Sequence, residues 1–66
     1  MSDYWVSYQI LSSSGGHHLG FGTCRTTMPR SPRDAVEVDR LSDSITDDEL
    51  PHGQYAVVMS WSRMGD

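Results

Sequence analysis

Hydrophobic and polar residues alternate near the start of the chain and predict a first β-strand there. Residues 4–11, with the sequence YWVSYQIL, are rich in the aromatic and β-branched side chains that strands favour. On an extended chain Tyr4, Val6, Tyr8 and Ile10 share one face, because successive side chains point to opposite sides. We predict that this face joins the core.

A polar, glycine-rich segment separates this strand from a second one. Residues 12–18 have the sequence SSSGGHH, in which Gly15 and Gly16 can adopt the positive φ of a tight hairpin. The second strand is predicted over about residues 19–28. The two strands should therefore be antiparallel neighbours.

The centre of the turn determines which residues of the hairpin face each other. If it lies between the two glycines, Ile10 is opposite Phe21 and Tyr8 is opposite Thr23. The same register places the glycines of the second strand on the side of Trp5. We therefore predict that the Trp5 indole covers those glycines.

A helix is predicted after the second strand. Ser31 suits the N-cap, Pro32 suits the first helical position, and Asp34 favours the positive end of the helix. The predicted helix runs from about residue 32 to residue 43 or 44. Its apolar side consists of residues at helical spacing, which are Ala35, Val38, Leu41 and Ile45.

The remaining residues predict an acidic loop and a third strand. Residues 46–53 are expected to form the loop, with a short turn near its middle and Pro51 at its end. Residues 54–63 alternate as a strand would. Tyr55, Val57, Met59 and Trp61 fall on one side, and Ala56, Val58, Ser60 and Ser62 fall on the other.

This element order predicts an α+β fold of the ββαβ type in a single domain, residues 1–66. We predict a three-stranded antiparallel sheet in the order 2-1-3, with one helix packed on one face. The pattern alone does not decide whether strand three pairs with strand one or strand two. The face without a helix is expected to expose Trp5, Leu11, Gly20, Gly22, Ala56 and Val58.

The charge narrows the class of partner. Nine acidic residues oppose five basic residues, all of them arginine, and the formal net charge is −4. Nucleic acids and anionic membranes are bound through clustered lysine and arginine, so direct binding to either is not expected. We expect a basic partner instead.

The cysteine content and the absence of an apparent targeting segment indicate a compartment. The single cysteine excludes an intramolecular disulfide. Neither a leader nor a membrane-spanning segment is apparent, and together these features favour a cytoplasmic protein.

Catalysis, a metal site and a cofactor are not predicted. His17, His18, His52 and Cys24 include zinc-ligand types, but none shows the close spacing of a metal motif. Cys24 lies in the middle of a predicted strand, where nothing is expected to lower its thiol pKa. A chain of 66 residues also has little room for a substrate cleft. We therefore predict that the protein is not an enzyme.

The acidic residues are concentrated in one part of the chain. Seven of the nine lie between Asp34 and Glu49, where the only basic residue is Arg40. Such a segment is either a solvated helix face or an electrostatic surface for a basic partner. The predicted partner-binding residues are Glu37, Asp43, Asp47, Asp48 and Glu49, with Trp5 on the open sheet face as an aromatic anchor.

Four segments together resemble a class of short bacteriophage and prophage proteins. They are YWVSY at residues 4–8, GFG at 20–22, SPRD at 31–34 and VVMSW at 57–61. The resemblance covers most of the chain, and its motifs are structural. It implies an inhibitor of host defence of the anti-CRISPR type, which would block the basic groove of a host nucleoprotein such as a Cas complex. The alternative is a homodimeric phage assembly protein that uses the uncovered sheet face or the edges of strands two and three.

Overall fold

A computed structural model describes residues 1–64 of the chain and contains three strands and one helix. The strands form one antiparallel sheet in the order β2-β1-β3, and α1 packs on one of its faces. The predicted α+β fold and strand order are confirmed. The elements are β1 (Ser2–Ser12), β2 (His18–Met28), α1 (Ala35–Glu49) and β3 (Gln54–Arg63).

The core lies between the helix and the sheet. Tyr4, Val6 and Tyr8 of β1 are buried there, as their alternation predicted, and Val6 is completely inaccessible. The helix contributes Leu41 and Ile45, which β3 meets with smaller side chains. Burying a large aliphatic side chain contributes about 1.5–3 kcal/mol, so these two residues account for much of the attachment of the helix. The core residues are Tyr4, Val6, Tyr8, Leu41, Ile45, Ala56 and Val58.

The register of the hairpin differs by one residue from the prediction. Tyr8 pairs with Gly22 and Ile10 with Gly20, so the predicted pairing of Tyr8 with Thr23 is wrong. The connection is wider than a two-residue turn, because the amide of Ser12 donates to the carbonyl of His17 at 2.8 Å. A shift of one residue exchanges the two faces of a strand. Gly20, Gly22 and Cys24 therefore lie on the core side, whereas Phe21 faces outward.

The aromatic residue that covers a glycine of β2 is consequently Tyr8, which lies over Gly22, and not Trp5. A Cβ atom at Gly22 would lie 2.6–2.7 Å from three atoms of the Tyr8 side chain. Such contacts are far inside van der Waals distance, so the tyrosine ring occupies the space that any other residue 22 would need. By contrast, a Cβ at Gly20 would meet nothing within 4 Å.

A β-bulge changes the facing of β3 at its middle. Tyr8 pairs with Val58 and Ser7 with Ser60, which leaves Met59 as an extra residue. Ala56 and Val58 face the core before the bulge, and Trp61 packs against the core after it. The prediction that Ala56 and Val58 lie on the exposed face is therefore wrong.

The helix begins and ends later than predicted. Asp34 is the N-cap, and its carboxylate accepts from the amide of Glu37 at 2.9 Å. Ser31, the predicted cap, instead donates to the hydroxyl of Tyr4 at 3.3 Å. The helix continues to Glu49, so the predicted loop over residues 46–53 is wrong in its first half. Burial of Ile45 attaches this last part of the helix to the sheet.

The two edges of the sheet are in different environments. On β3, the amide of Ala56 donates to Thr46 Oγ1 at 2.8 Å and that of Val58 donates to Ser42 Oγ at 3.1 Å. The helix thus satisfies backbone donors along the first half of the β3 edge. At the other edge, β2 has only β1 as a neighbour among residues 1–64.

Candidate functional site

Three carboxylates of the helix form one exposed row that reaches its last turn. Asp39, Asp43 and Asp47 are four residues apart, a spacing that places side chains on one side of a helix. All three are exposed, as are Asp48 and Glu49. Asp48 and Glu49 lie about 100° and about 200° further around the helix than Asp47. We call these five residues together the acidic helix surface.

The last turn of α1 concentrates this negative charge. Asp47, Asp48 and Glu49 occupy the C-terminal end of the helix, where the backbone carbonyls already carry partial negative charge. That turn contains no basic residue. Placing a carboxylate there is unfavourable, by about 0.3–1 kcal/mol for an exposed group. The free protein therefore has repulsion at this end that a cationic group would relieve.

Glu37 differs from the other predicted site residues because its carboxylate is already engaged. One oxygen accepts from Arg30 Nη2 at 2.6 Å, and the other accepts from the backbone amide of Arg33 at 3.2 Å. The side chain is also half-buried. Its contacts connect the start of the helix to the segment that precedes it, so Glu37 does not belong to the exposed row.

Trp5 lies on the opposite side of the molecule from the acidic helix surface. Tyr4 and Val6 beside it are buried under the helix, and alternation along β1 directs Trp5 to the face without a helix. The indole is 45% exposed. One flat partner surface cannot contact Trp5 and the exposed row of the helix together.

The open sheet face carries further apolar residues that the sequence analysis assigned elsewhere. Phe21 is 69% exposed and Met59 is 56% exposed, and Tyr55 and Val57 are half-buried beside them. Phe21 was missed because the predicted register directed it inward. The extra residues in the turn, which shift that register, carry no distinctive signal in the sequence.

The thiol of Cys24 is in a partly buried position against the core. Burial raises its pKa above the ordinary value of 9.0, and the negative charge of Glu49 raises it further. Burial likewise raises the pKa of Tyr8 above 10.0, with smaller contributions from Cys24 and Glu49. Both groups are therefore protonated at neutral pH, and the thiol has little nucleophilic character.

Within residues 1–64, no three side chains of His, Cys, Asp or Glu come together as metal ligands would. None of the described helices has the length and apolar character needed to cross a membrane. Searches against protein-family models, curated proteins and solved structures return no match for this chain.

Proposed function

We propose that this protein is an inhibitor that acts by stoichiometric binding rather than by catalysis. Its target is a basic, nucleic-acid-binding complex of a host defence system, of the kind that anti-CRISPR proteins block in the host cytoplasm. The acidic helix surface is the part of the molecule that contacts the target. The observation that carries the proposal is the exposed row of carboxylates on a helix held firmly against the core.

The dimensions of the row suit a groove that normally binds phosphates. Asp47 lies eight residues after Asp39, which is about 12 Å of helix axis at about 1.5 Å per residue. Successive carboxylates of the row are therefore about 6 Å apart along the axis and are offset by about 40° around it. Arginine and lysine side chains are long enough to adapt to that spacing, and opposite charges would accelerate encounter at low salt.

The position of the last turn adds a reason for binding at this end. Asp47, Asp48 and Glu49 repel one another and the C-terminal carbonyls of the helix. A guanidinium or ammonium group of the partner removes this repulsion when it binds. The interaction then stabilises the complex relative to a free protein in which the charges are uncompensated.

The test is neutralisation of the last turn with a control of equal net charge. Asp47→Asn/Asp48→Asn removes two negative charges from the acidic helix surface. Ser60→Lys/Ser62→Lys changes the net charge by the same amount on the exposed sheet face, away from the helix. A Cas effector complex is first sought by its co-elution with the protein from a host extract. The same complex, purified, is then the target in the binding assay.

We expect the aspartate variant to bind at least about tenfold more weakly, which corresponds to about 1.4 kcal/mol. Binding of the unchanged protein should also weaken between about 50 and about 300 mM salt, because exposed charge pairs are screened. Circular dichroism must show that both variants keep the fold. Equal affinity of the aspartate variant and the unchanged protein would refute the proposed surface.

A further inference from the structure

We propose that the free edge of β2 pairs with β2 of a second copy of this chain. The two strands run antiparallel about a two-fold axis at Thr23 and join the two sheets into one sheet of six strands. This inference goes beyond the proposed inhibition and involves none of the acidic residues of the helix. It arises from the backbone groups of β2 and the side chains beside them.

The backbone groups at the free edge can be assigned from the bonds at the other side of the sheet. The amides of Ala56 and Val58 point away from β1 and donate to side chains of the helix. Their partners on β1, Ile10 and Tyr8, therefore direct their backbone amides and carbonyls towards β2. The carbonyl of Asp3, in turn, accepts from β3 through the amide of Met64. Even-numbered residues of β1 therefore bond β2, and odd-numbered residues bond β3.

The same alternation continues across β2. Gly20 and Gly22 are opposite Ile10 and Tyr8, so their backbone groups are used by β1. The amides and carbonyls of Phe21, Thr23 and Arg25 then point outward. No hydrogen bond connects these outward groups to any other part of residues 1–64.

This edge has few of the features by which proteins prevent strand pairing. Natural edge strands are commonly short, or carry lysine, proline or inward-pointing charges. β2 has 11 residues, contains no proline and no lysine, and carries Arg25 as its single charged residue. Its one irregularity, an extra residue at Leu19, lies at the end next to the turn. A second strand can therefore pair along most of its length.

The occupant is a second copy because β2 complements itself in one register. Thr23 is the central residue of His18–Met28, so pairing about Thr23 places the regular part of β2, residues 20–26, opposite the same residues of the second copy. In the central register Arg25 lies opposite Phe21 of the other copy, which is a favourable cation–aromatic pair, and the two arginines stay apart. Within its own chain Arg25 contacts the Asp3 carboxylate at 3.6 Å, and the Phe21 ring lies 4.8 Å from the His18 ring, so the pair adds to these exposed contacts.

The pairing would satisfy the free edge and cover exposed apolar surface. Three facing pairs in the centre, each with two bonds, give about six backbone hydrogen bonds. Phe21, which is 69% exposed in the single chain, would be covered by the arginine stem of the other copy. The open sheet faces of the two copies would become continuous. Addition of a strand at a sheet edge is a common mode of protein recognition.

Cross-linking tests the register directly. In a Cys24→Ala background, Thr23→Cys places two thiols on the axis with Cα atoms about 5.5 Å apart, within the range of a disulfide. Arg25→Cys in the same background is the control, because its two Cα atoms would be about 14 Å apart along the strands. We expect mild oxidation to give a covalent dimer with Thr23→Cys and at least about tenfold less with Arg25→Cys. Equal cross-linking of both variants, or of neither, would overturn the register.

Light scattering after size-exclusion chromatography tests whether the edge carries the dimer. Thr23→Pro removes an outward-facing amide, which an edge strand tolerates, and should raise the dimer dissociation constant about a hundredfold. Trp5→Ala alters the open face of the central strand and should leave that constant within about threefold of the unchanged protein. A dimer that survives Thr23→Pro but not Trp5→Ala would overturn the proposal in favour of face-to-face packing. A chain that stays monomeric up to about 500 µM would overturn it as well.

Discussion

Substitution of Gly22 by alanine is the most direct test of how the hairpin packs. The added methyl group would lie 2.6–2.7 Å from three atoms of the Tyr8 side chain. Tyr8 is buried in the core, so its ring cannot turn outward without leaving the helix interface. The ring or the strand must therefore move by about 0.8 Å to reach an ordinary carbon–carbon contact.

The expected cost follows from this displacement. Forcing an extra methyl group into a packed core costs about 1–3 kcal/mol. Replacing glycine with alanine also restricts the unfolded chain, which returns about 0.4–1 kcal/mol. The net loss should therefore be about 1–2 kcal/mol. For a domain of this size that corresponds to a decrease in Tm of about 4–16 °C.

The assay is urea unfolding followed by tryptophan fluorescence, at two protein concentrations so that self-association is recognised. Gly20→Ala is the matched control, because a Cβ at Gly20 meets nothing within 4 Å. It should leave stability unchanged or raise it by up to about 1 kcal/mol. If the two variants differ by less than about 0.5 kcal/mol, Tyr8 does not lie over Gly22 and the reasoning fails.

Two further predictions concern the helix and the thiol. Thr46→Val keeps the shape of the side chain but removes the acceptor of the Ala56 amide, so the free energy of unfolding in urea should fall by about 1–3 kcal/mol. The control Ser44→Ala changes an exposed hydroxyl and should alter that free energy by less than about 0.5 kcal/mol. An equal effect of both substitutions would contradict the role of the Thr46 hydroxyl. Because the pKa of Cys24 is raised in the folded protein, folding favours the protonated thiol. The thiol therefore contributes stability that is complete below its ordinary pKa and is lost as the pH rises through the folded-state pKa. Unfolding measured from neutral to alkaline pH should show this loss, and Cys24→Ala should reduce it; an unchanged pH dependence would assign the loss to other groups.

The fold could be predicted from the sequence because its signals are local. The alternating residues of β1 identify its buried face, and two glycines identify the turn. The element order then leaves few topologies for a sheet with one helix. The strand registers are harder to predict from the sequence, because each register depends on the position of one extra residue. Met59 and the wider turn each shift the facing of a strand, and neither differs in composition from an ordinary strand or turn residue.

The candidate surfaces could be predicted only in part. The concentration of acidic residues is visible in the sequence, and the helix periodicity indicates which of them share a side. The length of the helix was underestimated because Asp47 and Asp48 disfavour a helix C-terminus. Burial of Ile45 and the bond from the Ala56 amide of β3 to Thr46 Oγ1 overcome that local preference. The separation of Trp5 from the acidic row follows from the fold rather than from local sequence.

The hydroxyl groups of Ser42 and Thr46 have a consequence for the size of any assembly this chain can form. They occupy the amides of Val58 and Ala56, and the bulge at Met59 interrupts the same edge immediately afterwards. A sheet built from this chain is therefore expected to grow more readily at β2 than at β3. If two copies join through β2, both outer strands of the joined sheet are β3, whose first half is occupied by the helix. The proposed pairing thus favours a closed pair over a fibril, even though the free strand is long and carries little charge.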